Sequence, residues 1–267
     1  DYLAMEQHAQ RLLNIMPTNA YVWKALAVAS MKQGKSQQAE QALHQCTKLA
    51  PQDVENVNNL GVLLQNRHAW SAAEQVLRQA NQLAPLSKDI LFNLATTLMH
   101  QHKSNDALLL FQKALSLAPQ DADVCCNMGC TLDNLGRTEE AIFHLKQAIA
   151  FNPNHASSYA TLGNITRKMS DISSAIALSE KALQLDRNML STYSALFFSL
   201  LHDHQRSAAA IFATHTQFGD YLEVSREHAC YQHTVAAHEK DKLRVGFVSG
   251  DMREHALSRF IKPILSG

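Results

Sequence analysis

Glycine and proline are scarce in this chain of 267 residues, nine and six in all, which disfavours a loop-rich all-β protein. Neither charge is in excess. Twenty-four Lys and Arg stand against 24 Asp and Glu, so the basic surplus with which a nucleic-acid binder neutralises phosphates is missing. No apolar run approaches the ~18–20 residues of a membrane span, and no signal peptide opens the sequence. Charged residues make up only 18% against 46% hydrophobic, a balance opposed to disorder. The length implies one or two domains with a sizeable core. The first residue is Asp1 rather than Met, in a segment of helical periodicity, so the chain reads as a piece of something longer.

The five cysteines, Cys46, Cys125, Cys126, Cys130 and Cys230, form no CxxC pair. Cys126 and Cys130 lie one helical turn apart, a spacing open to a metal or redox pair. Small apolar packing in a reduced cytosolic protein is the preferred reading. His100/His102 and His202/His204 are close pairs, but on a helix the two rings of HxH diverge, and no metal site is expected.

What the sequence does have is a period. Pro17, Pro51, Pro85, Pro119 and Pro153 are each 34 residues apart. Ala39, Ala73, Ala107, Ala141, Ala175 and Ala209 keep the same spacing, as do Leu26, Leu60, Leu94, Met128, Leu162 and Leu196. In the first five units a small residue follows: Ala27, Gly61, Ala95, Gly129 and Gly163. A further small series runs from Cys46 through Ala80, Ala114, Ala148 and Ala182. Small residues let two antiparallel helices approach closely, and Leu43, Leu77, Phe111 and Leu145 fill what space remains. Proline ends the second helix of each unit, because it lacks a donor and clashes with the preceding turn. Gly34 and Gly136 supply the turn between helices, with Asn66-Arg67-His68 and Ser104 serving elsewhere. A period of this length marks stacked helical hairpins.

These residues, with Trp23-x-x-Leu26-Ala27, resemble tetratricopeptide repeats. The fold expected is an all-α, right-handed superhelical solenoid whose concave groove is lined by the first helix of each hairpin. Residues 1–19 read as the second helix of a partial repeat and 20–189 as five full repeats. Residues 190–242 read as a degenerate capping repeat and transition helices, with Phe197 where a small residue belongs. Position six of the first helix carries Asn59, Asn93 and Asn127, between Ala25 before and Thr161 and Ala195 after. An amide offers a donor and an acceptor together, which matches a peptide group without reading its side chain. The three are candidate peptide-binding residues for an extended or disordered protein segment; the alternative is that they satisfy neighbouring helix ends or face water. The Lys/Arg-with-Asn pattern that grips acidic chaperone tails is not met, since Val28 and Asn93 stand where its Asn and Arg would be.

Past about Phe218 the period disappears. Leu243-Arg244-Val245-Gly246-Phe247-Val248-Ser249 alternates as a short apolar strand, Gly250 to His255 reads as a turn, and Ala256 to Leu265 has helical spacing. Residues 243–267 are thus expected to be the strand–turn–helix that opens a truncated α/β, Rossmann-like domain. The stretch from Leu243 to Phe260, following tetratricopeptide-type repeats, resembles the start of the catalytic region of O-linked N-acetylglucosamine transferases and Spindly-type fucosyltransferases. That resemblance implies sugar transfer from a nucleotide sugar, UDP-GlcNAc, to Ser or Thr of acceptor proteins threaded along the repeat groove. It makes Asn59, Asn93 and Asn127 counterparts of an asparagine ladder and His255 a residue of the catalytic cleft, orienting the acceptor. Ala256 and Arg259 depart from the family pattern. The nucleotide-binding residues belong to sequence beyond Gly267, so this chain alone is expected to hold no cofactor and to be inactive. A non-catalytic adaptor for protein–protein interaction is the alternative. Neither nucleic acid nor membrane is an expected partner, and the expected location is the cytoplasm.

Overall fold

The computed structural model describes residues 1–203 and 206–226, with side chains as far as 219. The strand, turn and helix expected over 243–265, and His255 with them, lie outside these residues. Thirteen helices and no strand occur among the described residues. In order they are α1 (Tyr2–Ile15), α2 (Ala20–Lys32), α3 (Ser36–Leu49), α4 (Val54–Asn66), α5 (Trp70–Leu83), α6 (Lys88–His100) and α7 (Ser104–Leu117). After them come α8 (Ala122–Asn134), α9 (Thr138–Phe151), α10 (Ala156–Lys168), α11 (Ile172–Leu185), α12 (Leu190–Leu200) and α13 (Ala208–Arg226). Residues 1–219 form one compact unit.

Local chemistry sets the helix ends. Asn19, Asp53 and Asp121 cap α2, α4 and α8 by accepting from backbone N–H groups of the first turn. The second helices α1, α3, α5, α7 and α9 each stop two residues before a proline of the period, as α3 does before Pro51 and α5 before Pro85, whereas α11 ends before Arg187. Trp23 secures the first of these turns by donating its indole N–H to the Pro17 carbonyl at 2.7 Å.

The turn within each of the five hairpins from α2–α3 to α10–α11 has one residue in the left-handed region: Gly34, His68, His102, Gly136 and Ser170, with φ of 72°, 57°, 60°, 75° and 63°. Ser104 is not the turn residue; it is the first residue of α7. Histidine and serine accept the left-handed conformation at some cost in strain, which glycine avoids.

Close packing follows from the small residues. Ala39, Ala73, Ala107, Ala141 and Ala175 are buried to 1% exposure or less. A Cβ added at Gly61 would stand 2.5 Å from Leu77 Cγ, and one at Gly129 would stand 2.7 Å from Leu145 Cγ. Both leucines are fully buried, so each glycine permits a backbone approach that a larger residue would prevent.

The last hairpin departs from this rule. Phe197 fills the small-residue position of α12, stacking on His215 (ring centroids 4.0 Å apart) and meeting Phe218 edge-on at 5.3 Å. Tyr193 stacks on Phe218 at 4.2 Å. Aromatic rings thus fill the space between α12 and α13.

Each helix from α1 to α12 packs on its neighbour in sequence. First helices also meet one another: α4 with α6, α6 with α8, α8 with α10 and α10 with α12. Second helices make no comparable contact among the described residues. The stack is therefore tighter along its first helices, which places them on the inner side of its curve.

Candidate functional site

The inner faces of α4, α6, α8 and α10 carry half-buried residues at fixed places: Asn58, Asn59, Val62 and Gln65, then Phe92, Asn93, Thr96 and Met99. Asn127, Cys130 and Asp133 continue the series on α8, and Thr161, Asn164 and Arg167 on α10. All three asparagines singled out from the sequence lie on these helices and are half-buried.

Two of the three are held sideways. Asn93 donates from Nδ2 to Asn58 Oδ1 at 3.0 Å, and Asn127 donates from Nδ2 to Thr96 Oγ1 at 3.2 Å. Asn59 has no such bond among the described residues. Gln65 crosses from α4 to α6 in the same way, donating to the Asn93 carbonyl at 2.7 Å and to Thr97 Oγ1 at 2.8 Å. One amide hydrogen is used in each lateral bond, so Asn93 and Asn127 keep a carbonyl oxygen and a second N–H for another partner. Neighbour satisfaction and recognition, alternatives when only the sequence is considered, are both within the capacity of a single amide. Asn58, Thr96 and Gln65 do not stand out in the sequence. Thr96 follows Asn93 by three residues, and helical spacing alone would place it on the same face. Asn58 and Gln65 emerge only once neighbouring first helices are stacked.

Charge on this face is largely paired. Lys24 meets Glu55 at 2.5 Å, Lys88 meets Asp89 at 2.9 Å and Asp121 at 3.0 Å, and Lys168 meets Asp133 at 2.6 Å. Hydrogen bonding to Glu55 raises the Lys24 ammonium above its ordinary value, and bonding to Asp89 and Asp121 does the same for Lys88. Between these pairs the floor is amide, hydroxyl, thiol and hydrocarbon, with the Arg167 guanidinium set over the Phe198 ring at the α10 end. Such a floor can hydrogen-bond a main chain but offers little to a highly charged ligand.

The outer side of the stack holds its own ion pairs. Glu6, Glu40 and Glu74 occupy one position of successive second helices and meet a base from the following hairpin: Lys35 at 2.6 Å, Arg67, and Lys103 at 2.7 Å. Burial raises the Glu74 carboxyl, but hydrogen bonds from Lys103 and Gln101 and the charge of Arg78 outweigh it, leaving the group below its ordinary range. These pairs tie hairpin to hairpin and have no place in the groove.

No group of three or more His, Cys, Asp or Glu among the described residues is arranged to hold a metal ion. His100 instead stacks on Trp70 with ring centroids 4.3 Å apart, and His202 bonds the Phe198 carbonyl at 2.8 Å. No helix among the described residues is long and apolar enough to cross a membrane.

Comparison with known proteins agrees with this architecture. Models of the tetratricopeptide repeat match residues 20–53, 62–122, 122–155 and 156–189, together more than half of the chain; none of the matching models is of a sugar transferase. No curated protein matches the sequence. Among solved structures, one similar chain belongs to the APC/C hetero-tetramer Cut9–Hcn1 (TM-score 0.65, 19% identity, 76% of this chain and 40% of that one). Another is TTC0263, a thermophilic TPR protein of Thermus thermophilus (TM-score 0.59, 19% identity, 68% of this chain and 100% of that one). A third is YrrB, described as a TPR protein with an unusual peptide-binding site (TM-score 0.54, 16% identity, 70% and 96%). Identities this low establish likeness of fold alone. With the 34-residue period, the stacked hairpins and the family models in agreement, the chain belongs to the tetratricopeptide repeat family.

Proposed function

We propose that this chain is a protein-interaction module that holds an extended segment of a partner protein along the inner faces of its first helices, chiefly by the partner's main chain. The observation that carries the reading is the series Asn59, Asn93 and Asn127, one per repeat on a half-buried inner face with paired charges around it. Lateral bonds to Asn58 and Thr96 fix two of the amides before any partner arrives, which lowers the entropy lost on binding. Packed helices stand about 8–10 Å apart, and an extended chain advances about 3.3 Å per residue. Successive asparagines would thus meet roughly every third residue of the bound segment. YrrB, a similar structure described as having a peptide-binding site, supports this reading. The four described cysteines are free thiols, which suits a reducing compartment such as the cytoplasm.

The test is fluorescence anisotropy with a labelled, unstructured Ser/Thr-rich peptide. Changing Asn59, Asn93 and Asn127 together to alanine should weaken binding at least tenfold, about 1.4 kcal/mol, while far-UV circular dichroism stays unchanged. Equal affinity for the parent and triple variant would remove the ladder.

One observation favours a more specific role: the sequence from Leu243 to Phe260, with its likeness to the opening of O-GlcNAc transferase catalytic regions. Under this second reading the groove delivers a Ser or Thr to a sugar-transfer site where His255 orients the acceptor and UDP-GlcNAc is the donor. Its test is transfer of radiolabelled GlcNAc to such a peptide by the natural protein that carries this chain. Absence of transfer would sink this reading and leave the adaptor role intact.

A further inference from the structure

Two of the four described cysteines are placed unlike the other two. Cys46 is enclosed in the hairpin core, donating its S–H to the Ala20 carbonyl at 3.4 Å, and burial pushes its thiol up to about 11. Cys125 is likewise fully buried. Cys126 and Cys130, one turn apart on α8, lie toward the groove; Cys126 is buried, whereas Cys130 is half-buried, between Asn127 and the next repeat. Cys130 Sγ is 3.6 Å from Thr161 Oγ1 on α10. The Cys126 thiol lies beside Cys130 and the hydroxyls of Ser158 and Thr161. Ser158, itself fully buried, meets His155 Nδ1 at 2.7 Å, and His155 Nε2 meets the exposed Asp123 carboxylate at 3.0 Å. A chain of hydroxyl, imidazole and carboxylate therefore leads from the two thiols to solvent.

The neighbouring Cys126 and Thr161 hold the Cys130 thiol below its ordinary value against the opposing effect of burial, while Cys126 is pushed up by the same partnership.

Helix geometry decides what the pair can do. A disulfide needs its Cβ atoms about 3.5–4.5 Å apart, whereas residues one turn apart on a helix have theirs at about 5–6 Å. Oxidation to a disulfide would require α8 to unwind locally. An ion seated between the two sulfurs supplies the missing length, because each metal–thiolate bond adds about 2.3 Å. A tetrahedral zinc site needs further ligands, and no third His, Cys, Asp or Glu among the described residues is placed to join the pair. Two soft thiolates without other ligands suit Cu(I).

We propose that Cys126 and Cys130 form a two-thiolate site for a soft monovalent cation of the Cu(I) class, set into the wall of the groove. Both thiols lose their protons, two S–Cu bonds form and no electron is transferred. The two protons leave to water, for which Ser158, His155 and Asp123 provide a path. This site stands whether or not the groove binds peptide.

The test is an anaerobic titration of the reduced chain with Cu(I) held by bicinchoninate, read by loss of the bicinchoninate complex and by sulfur-to-copper charge-transfer absorption. One equivalent should transfer to the parent chain. Cys126→Ser and Cys130→Ser should each weaken uptake by more than about tenfold, a loss that even changes outside the ligand sphere cause at metal sites. Cys46→Ser and Cys230→Ser should bind as the parent does. Cys130 is half-buried, so its variant folds even if Cys126→Ser does not, and circular dichroism checks both. No withdrawal of Cu(I) by the parent, or parent-like uptake by Cys130→Ser, would overturn the site.

Discussion

Replacing Gly61 by alanine puts a methyl carbon 2.5 Å from both Cγ and Cδ2 of Leu77, where carbon atoms in contact prefer about 3.5–4.0 Å. Leu77 is fully buried, so it cannot simply turn aside; α4 and α5 must move apart instead. Overpacking of this kind costs about 1–3 kcal/mol, and alanine recovers about 1 kcal/mol of helix propensity over glycine. The net expectation is a loss of about 0–2 kcal/mol. Ala27 opposite Leu43 and Ala95 opposite Phe111 hold the corresponding places in other hairpins, so the relaxation is one the fold already uses, which favours the lower half of that range. The decisive comparison is made in a second background. Leu77→Ala alone should cost about 2–5 kcal/mol. Adding Gly61→Ala to it then places a methyl group in vacated space, so the overpacking disappears and about 1 kcal/mol is regained. Gly61→Ala should therefore change sign between backgrounds, with a coupling of about 1–3 kcal/mol. Urea denaturation followed by far-UV circular dichroism measures all four proteins. Effects that add to within about 0.5 kcal/mol would mean that the two residues do not share a space, and the account of hairpin packing would fail.

Ala107, fully buried between α6 and α7, should tolerate Leu poorly, with a loss of about 1–3 kcal/mol in the same denaturation assay. Glu74→Gln tests the outer ion pairs. The folded carboxyl lies below its ordinary range, so its stabilisation is present above the unfolded carboxyl value of about 4.3 and fades as pH falls through the folded value. The variant should lose about 1–2 kcal/mol at neutral pH and show a flatter decline below about pH 4.3; an acid limb as steep as the parent's would contradict the pairing with Lys103 and Arg78.

Much of the helical architecture was legible because it rests on local stereochemistry. Pro51 and Pro85 mark helix ends wherever they occur, since no neighbour can restore the missing donor. Ala107 and Gly61 mark close approach because only small side chains permit it. The hairpin turns were less legible: His68 and His102 adopt the left-handed conformation that Gly34 and Gly136 adopt freely, and nothing in their residue type announces it. The groove was legible only as a row of asparagines. That Asn93 reaches Asn58 and Asn127 reaches Thr96 depends on the offset between neighbouring first helices, a tertiary quantity that a one-dimensional period does not contain. For the same reason the linkage of Cys126, Ser158, His155 and Asp123, drawn from two repeats, could not be read from spacing.

The central claim is that partners bind on the inner faces of the first helices, and chemical-shift mapping tests it most directly. When the isotope-labelled chain is titrated with an unstructured Ser/Thr-rich peptide, the largest shifts should fall on Asn59, Val62, Asn93, Thr96, Asn127 and Thr161. Shifts concentrated on the second helices, at residues such as Gln41, Gln75 and Leu109, with the asparagine amides unmoved, would contradict it.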